Sequence, residues 1–231
     1  MSENNTLRDN TLLGLGFILM IAALYLVFIY APTEEAMGDI QRIFYFHVAL
    51  AWVSFLAFFI VFVCSILYLW KRVERWDIVA RCSAELGVVF TTLVLITGPI
   101  WARPVWGAWW TWDARLTATL VLWLTYIAYL LVRGYAAEEA RGARFAAVLG
   151  IAGFIDVPIV YLSIHLWRTQ HPPSLVGDLV PSMLLTLIVS VAAFTVLFIV
   201  LVGRSISLRN LEAGVRQLRD ARINRKKVLN G

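Results

Sequence analysis

Six long apolar runs constrain this chain more than any other feature of its sequence. They cover residues 11–30, 43–70, 79–100, 116–132, 145–165 and 181–203. A helix needs about 20 residues to cross roughly 30 Å of hydrocarbon. At 61% hydrophobic and 15% charged residues, the chain is also more apolar than a soluble domain of its length. The sequence therefore predicts an all-α membrane bundle of six transmembrane helices.

The two ends of the chain differ in character. The first run has the length of a cleaved signal peptide, but its leader at 2–10 lacks a basic segment and no clean small-residue cleavage site follows. We expect a retained helix there, within a six-helix domain at 1–203. The segment 204–231 mixes leucine and isoleucine with many arginines. This pattern predicts a basic cytoplasmic tail whose helix continues from the membrane and then lies on anionic lipid.

Basic residues divide unequally between the two sides of the predicted bundle. Sixteen of the 20 Lys and Arg residues fall on the side that holds both termini and the loops at Lys71 and Arg141. The other side holds the remaining four, Arg42, Arg103, Arg115 and Arg168. Because cytoplasmic loops are enriched in Lys and Arg, both termini should be cytoplasmic and three loops should face outward. Topology thus accounts for the net charge of +5, which does not indicate a nucleic-acid partner.

The sequence lacks the motifs of several common kinds of site. The cysteines, Cys64 and Cys82, lie in different apolar runs and do not suggest a structural disulfide. There is no Cys-x-x-Cys-His motif for thioether attachment of haem. There is also no Gly-x-x-x-x-Gly-Lys-Ser/Thr phosphate loop, so any ATP hydrolysis must belong to a partner.

Tryptophan is concentrated in one outward segment, 101–117, which reads WARPVWGAWWTWDARLT and holds five of the 10 tryptophans. A single Trp at this depth is usually part of an aromatic belt. Trp106, Trp109, Trp110 and Asp113 have helical i, i+3, i+4, i+7 spacing, so a helical turn would place three indoles and a carboxylate on one face. That surface suits a large aromatic ligand with polar edges. Asp113 could equally serve as the N-cap of the fourth helix.

All three histidines fall on the outward side. His47 lies about one turn inside the second run, His165 ends the fifth, and His171 lies in the following loop, 166–172. A histidine at a helix end is often only an interfacial hydrogen-bonding group. Two imidazoles from separate segments, however, can ligate haem iron from opposite faces of the macrocycle. The outward arginines could pair with haem propionates, with snorkelling to lipid headgroups as the alternative.

Two acidic residues lie within apolar runs. Glu85 is placed to pair with Arg81 at i, i+4 near the cytoplasmic end, and we interpret it as structural. Asp156 precedes helix-breaking Pro158 by two residues. A charged residue inside a membrane span invites a functional hypothesis, and Asp156 could hydrogen-bond a neighbouring helix or line a polar route.

The run at 106–117, WGAWWTWDARLT, resembles the WWD signature of the haem-handling membrane proteins of cytochrome c maturation. Within that group the chain is most similar to the CcmC family. The small size, the six spans, His47 on the second span and the segment Trp167-x-Thr169-x-His171 all correspond, so the resemblance covers most of the chain. CcmF and the CcsA-type synthetases share the WWD run but differ in length or partner domains.

The resemblance implies that haem b is held at the periplasmic face of a bacterial inner membrane by two histidines, which carry over to His47 and His171. His165 then has no assigned role. The cofactor-binding set implied here also includes Trp106, Trp109, Trp110, Trp112, Asp113, Arg42, Arg103 and Arg115. The family further implies transfer of haem to the chaperone CcmE within a complex containing CcmA, CcmB and CcmD. CcmE captures the haem covalently, so this chain is expected to be a ligand-transfer protein and not an enzyme.

Two other functional classes remain open from the sequence. A membrane b-type cytochrome would usually bury its histidines well within the spans, and a transporter permease subunit would bind no chromophore. An absorption spectrum of the purified protein separates the permease from the haem proteins. Haem-dependent transfer to CcmE separates a haem-handling protein from a b-type cytochrome.

The charge distribution generates a test of topology. In single-cysteine variants, an impermeant thiol reagent applied to intact spheroplasts should label Ala108→Cys in the WWD run and leave Ala213→Cys in the tail unlabelled. The reason is that the basic side of the bundle stays in the cytoplasm. Labelling of position 213 without labelling of position 108 would invert the assignment.

Overall fold

The computed structural model describes residues 3–135, 139–171, 177 and 179–229, with side chains placed for most of them. Pro172 of the loop after His171 and residues 230–231 of the tail lie outside this part of the chain. The α-helices of the described residues are α1 (Glu3–Tyr25), α2 (Ile43–Lys71), α3 (Glu74–Trp106), α4 (Ala114–Tyr135), α5 (Glu139–Phe154), α6 (Asp156–Leu166) and α7 (Pro181–Leu229). A π-helical turn, Leu26–Tyr30, extends α1, and a 3-10 turn, Asp39–Arg42, leads into α2.

The prediction of an all-α bundle with six membrane spans is confirmed. Six helical segments of the described residues are long and apolar enough to cross a bilayer. They are Asn10–Tyr30, Asp39–Lys71, Glu74–Trp106, Ala114–Tyr135, Ala140–Leu166 and Pro181–Arg219. Within the described ranges the chain forms no strand, and its one isolated bridge pairs Glu34 with Gly38.

The fifth span consists of two helices because of Pro158. A proline has no N–H to donate, and its ring clashes with the carbonyl four residues earlier, which here belongs to Phe154. Helix α5 ends at Phe154, and α6 begins at Asp156 after a turn at Ile155. The Oδ2 atom of Asp156 is buried and has no hydrogen-bond partner.

The third span runs further than the sequence indicated. We expected it to end near Ile100, but α3 continues through Pro99 and Pro104 to Trp106. It stops where Gly107 adopts a left-handed backbone with φ of 76° and donates its N–H to the carbonyl of Arg103 at 3.0 Å. The loop expected at 101–117 is therefore reduced to 107–113. The expected helical turn from Trp106 to Asp113 is wrong, because the left-handed glycine ends the helix.

Helix α2 is the centre of the bundle and packs against α3, α5 and α7, while α1 packs on α7. Small residues allow close approach of the helices. A Cβ atom added to Gly87 of α3 would lie 2.6 Å from the Phe58 ring of α2, so only glycine fits there. Phe58 also stacks on Tyr126 of α4 with ring centroids 3.7 Å apart. This packing holds α2, α3 and α4 in fixed register.

Three ionic contacts lie at the end of the bundle that carries Lys71. Arg133 of α4 donates to Asp77 of α3 at 2.6 Å, and both side chains are buried. The sequence did not indicate this pair. The expected pair of Arg81 with Glu85 is confirmed at 3.4 Å, and Glu85 also accepts from Arg209 of α7.

Helix α7 continues without a break past residue 203, as predicted for the tail. Its contact with Glu85 ties the beginning of the tail to α3. Cys64 and Cys82 are both buried and free, which confirms that no disulfide joins them.

The buried ion pair leads to a stability prediction. Asp77→Asn should lower the free energy of unfolding by about 3–5 kcal/mol, because it removes the buried negative charge to which the Arg133 guanidinium donates. Arg81→Gln should cost under about 1 kcal/mol, since that pair is partly exposed and Glu85 keeps Arg209. Unfolding of the detergent-solubilised protein, followed by circular dichroism, measures both. Equal losses in the two variants would contradict this role of the buried pair.

Candidate ligand-binding site

The site is built where α2 begins and α3 ends. His47 lies about one turn inside α2, as expected, and its Nδ1 atom is 2.8 Å from the Oγ1 atom of Thr97 in α3. A Cβ atom added to the neighbouring Gly98 would lie 3.4 Å from Cε1 of the imidazole. The ring of His47 therefore packs directly against one turn of α3.

The second histidine reaches the same site from a different segment. His171 follows α6, and its backbone N–H donates to the hydroxyl of Thr169 at 3.1 Å. Its ring lies edge-on to Trp106, with centroids 6.5 Å apart. His171 and Arg115 both lie within electrostatic range of the His47 ring. The fold thus brings together two histidines that are far apart in the sequence.

Asp113 joins the start of α4 to the segment after α6. Its Oδ1 atom accepts the N–H groups of Arg115 and Leu116 at 3.0 and 3.1 Å, so it caps α4. Its Oδ2 atom accepts the hydroxyl of Thr111 at 3.0 Å and the N–H of Gln170 at 3.4 Å. The capping interpretation of Asp113 is confirmed, and the contact with Gln170 adds a tether beside His171.

The tryptophans of the segment divide into two groups. Trp101, Trp106 and Trp110 are partly buried, whereas Trp109 and Trp112 are 59% and 75% exposed. Trp101 packs edge-on against Trp106 with centroids 5.4 Å apart, and Trp110 packs edge-on against Trp112 at 5.8 Å. Because the helical turn is absent, Trp109 does not share a helix face with Trp106. Trp101 with Trp106 forms one aromatic pair, and Trp110 with Trp112 forms another.

Three buried polar atoms of this segment have no hydrogen-bond partner in the structure: Nε1 of Trp101, Nε1 of Trp110 and Oγ1 of Thr117. An unpaired buried donor is costly, so such atoms ordinarily have a partner. Two indole N–H groups and a hydroxyl suit the polar edge of a ligand. The sequence interpretation gave no role to Trp101 or Thr117. The only sequence signal for them was their position inside the tryptophan-rich segment.

Arg115 and Arg42 have different surroundings. Arg115 lies near both His47 and Asp113. Arg42 instead donates to the carbonyls of Val27 and Ala31, which ties the end of α1 to the start of α2.

Arg103 and His165 both lie at helix ends. Arg103 donates to the carbonyl of Gly107 at the end of α3. His165 is exposed at the end of α6. Of Arg42, Arg103 and Arg115, Arg115 is the one that lies near His47.

Comparison with known proteins identifies the family of this chain. The family model described as CcmC, heme exporter protein C, matches residues 5–221. The chain belongs to the CcmC family. A heme exporter protein C from Bradyrhizobium diazoefficiens is 38% identical over 176 residues, which cover 74% of this chain and 67% of that protein. The protein of the same name from Haemophilus influenzae is 32% identical over 193 residues, with coverages of 81% and 76%.

One eukaryotic relative matches over a longer stretch. A ccmC-like mitochondrial protein of cytochrome c biosynthesis from Arabidopsis thaliana is 31% identical over 218 residues, 91% of this chain and 83% of that protein. The resemblance seen in the WWD run is therefore confirmed across most of the chain. The family is a haem-handling membrane family of cytochrome c biogenesis.

The side chains of the site fit haem better than a bare metal ion. Across the described residues, no group of three or more His, Cys, Asp or Glu side chains is arranged to hold a metal. Haem needs only axial ligands from the protein, because the porphyrin supplies the four equatorial nitrogens. Two imidazoles, an aromatic wall and unpaired indole donors meet that requirement.

Proposed function

We propose that this protein binds haem b at the outward face of a bacterial inner membrane and passes it to the haem chaperone CcmE. The observation that carries the proposal is the convergence of His47, His171 and Trp106 at one end of the bundle. Membership of a haem exporter family gives the cargo class. The haem is cargo in this proposal, and the chain itself makes or breaks no covalent bond.

His47 and His171 are the axial ligands in this proposal. One is carried by the first turns of α2 and the other by the segment after α6. Two imidazoles on separate segments can approach the iron from opposite faces. His165 is exposed at the end of α6, and it has no part in ligation.

The indoles give the macrocycle its orientation. Axial ligands leave a porphyrin free to rotate about the axis that joins them, so another surface must select the edge that faces outward. Trp106 and Trp110 are suited to contact the apolar part of the ring, while the unpaired N–H groups of Trp101 and Trp110 suit a propionate. Arg115 is the arginine best placed to add a positive charge near a propionate.

Asp113 has a separate task in transfer. Its carboxylate holds the start of α4 and, through Gln170, the segment that carries His171. It therefore sets how the outward surface is presented to CcmE, and the exposed indoles of Trp109 and Trp112 lie on that surface. Asp113 contributes more to the delivery of haem to CcmE than to the retention of haem by this protein.

The proposed assembly places both termini in the cytoplasm and the WWD segment in the periplasm. CcmA, CcmB and CcmD are the proposed partners in the complex. ATP hydrolysis then occurs in a partner subunit, since this sequence carries no phosphate loop.

The ligand assignment predicts a clear pattern among histidine variants. His47→Ala and His171→Ala should each reduce retained haem or change its spin state, because each removes an axial ligand. His165→Ala is the matched control and should leave the spectrum nearly unchanged. Absorption spectra of the purified proteins measure this. Identical spectra for all three variants would refute the assignment.

The division between holding and delivering haem predicts a second pattern. Asp113→Asn should lower covalent haem on CcmE more than it lowers haem bound to this protein, because the axial ligands remain. His47→Ala should lower both together. Both quantities are measured from the same membranes. Loss of bound haem in Asp113→Asn as complete as in His47→Ala would place the carboxylate in the binding site itself.

A further inference from the structure

We infer that Thr97 is a positioning residue that holds His47 in the Nδ1-protonated tautomer and leaves Nε2 as the coordinating atom. The inference rests on the proposed role of His47 as a haem ligand. The relevant atoms are Oγ1 of Thr97, Nδ1 of His47 and the backbone carbonyls one turn earlier in α3.

The position of each proton follows from the oxygen atoms around Thr97. Its Oγ1 is 2.8 Å from the carbonyl oxygen of Leu93 and 3.3 Å from that of Val94. A threonine inside a helix commonly donates its hydroxyl to the carbonyl four residues earlier, and the 2.8 Å contact with Leu93 fits that bond. Towards His47, 2.8 Å away, Oγ1 can then only accept. With the hydroxyl of Thr97 bonded back to Leu93, Nδ1 of His47 is the donor and carries the proton.

The consequence for ligation is direct. A neutral imidazole protonated at Nδ1 has its lone pair on Nε2, which is the atom able to bind iron. A hydrogen bond from the other ring nitrogen also fixes the ring orientation and raises the basicity of the ligand. Packing against Gly98 limits the rotation of the ring further. The imidazole of His47 therefore has the tautomer and the orientation needed to bind iron before haem is bound.

Helix α3 carries both the threonine that contacts His47 and the tryptophan that contacts His171. Thr97 and Trp106 both lie in α3, separated by nine residues, which is about 14 Å along the axis. Helix α3 therefore sets both the orientation of one axial ligand and the position of the indole beside the other. No feature of the sequence near Thr97 indicated this role.

The test compares two threonines of α3. Thr97→Val keeps the shape of the side chain and removes the acceptor, whereas Thr97→Ser keeps the hydroxyl. Thr92→Val is the matched control, because Thr92 also bonds back to its own helix, at Val88, and accepts from a ring N–H, that of Trp123, away from the histidines. The full chain is studied in lipid nanodiscs.

The first measurement needs no haem. Nitrogen-15 NMR of the histidine-labelled protein reports the tautomer, and only three histidines contribute, with His47→Ala assigning the signal. We expect the Nδ1–H form in the wild type, in Thr97→Ser and in Thr92→Val, and loss of that form in Thr97→Val. An Nε2–H tautomer in the wild type, or no change in Thr97→Val, would overturn the inference.

The second measurement is haem titration followed by absorption spectroscopy. Thr97→Val should weaken haem binding by about tenfold or more, the usual effect of losing a partner of a metal-ligating histidine, and Thr97→Ser should restore it. Normal binding in Thr97→Val would overturn the positioning role. The expected tautomer together with an unchanged haem spectrum in His47→Ala would instead refute the ligand assignment under the proposed function, so the two failures are distinguishable.

Discussion

The bilayer requires every backbone N–H and C=O within it to be paired, and this constraint shapes the whole molecule. Six helical spans satisfy it, and apart from the break at Ile155 in the fifth span the irregular backbone of the described residues lies at their ends. The unusual backbone geometry of the candidate site lies at such ends. Gly107 adopts a left-handed conformation where α3 stops, and Asp113 caps α4 six residues later. The site is therefore assembled largely from helix termini.

Helix packing turns these separate ends into one site. Gly87 lets α3 approach α2 closely, and the same pair of helices brings Thr97 to His47 nearer the end of the bundle that carries the tryptophan-rich segment. On the other side, Asp113 connects the start of α4 to the segment after α6 through Gln170. His47 and His171 belong to these two groups of elements. The relative position of the two histidines depends on both the Thr97–His47 contact and the Asp113–Gln170 contact. A substitution that disturbs either contact is expected to displace one of the histidines.

Much of the fold and part of the site could be predicted because the responsible patterns are local. The six apolar runs, the spacing of Arg81 and Glu85, and the N-cap at Asp113 are all read over a few residues or one span. The helical turn over Trp106 to Asp113 was wrong because i, i+3, i+4 spacing does not reveal a left-handed Gly107. Asp77 with Arg133 was missed, since nothing local relates residues on separate helices.

The sequence by itself determined the number of spans, the tryptophan-rich segment, the positions of the histidines and the resemblance to the family. The tertiary structure decided which side chains share a surface: Trp106 beside His171, Trp109 and Trp112 exposed, and Thr97 bonded to His47. The physical reason is the range of each effect. Hydropathy and capping act along the chain, whereas a hydrogen bond between α2 and α3 depends on how two helices pack.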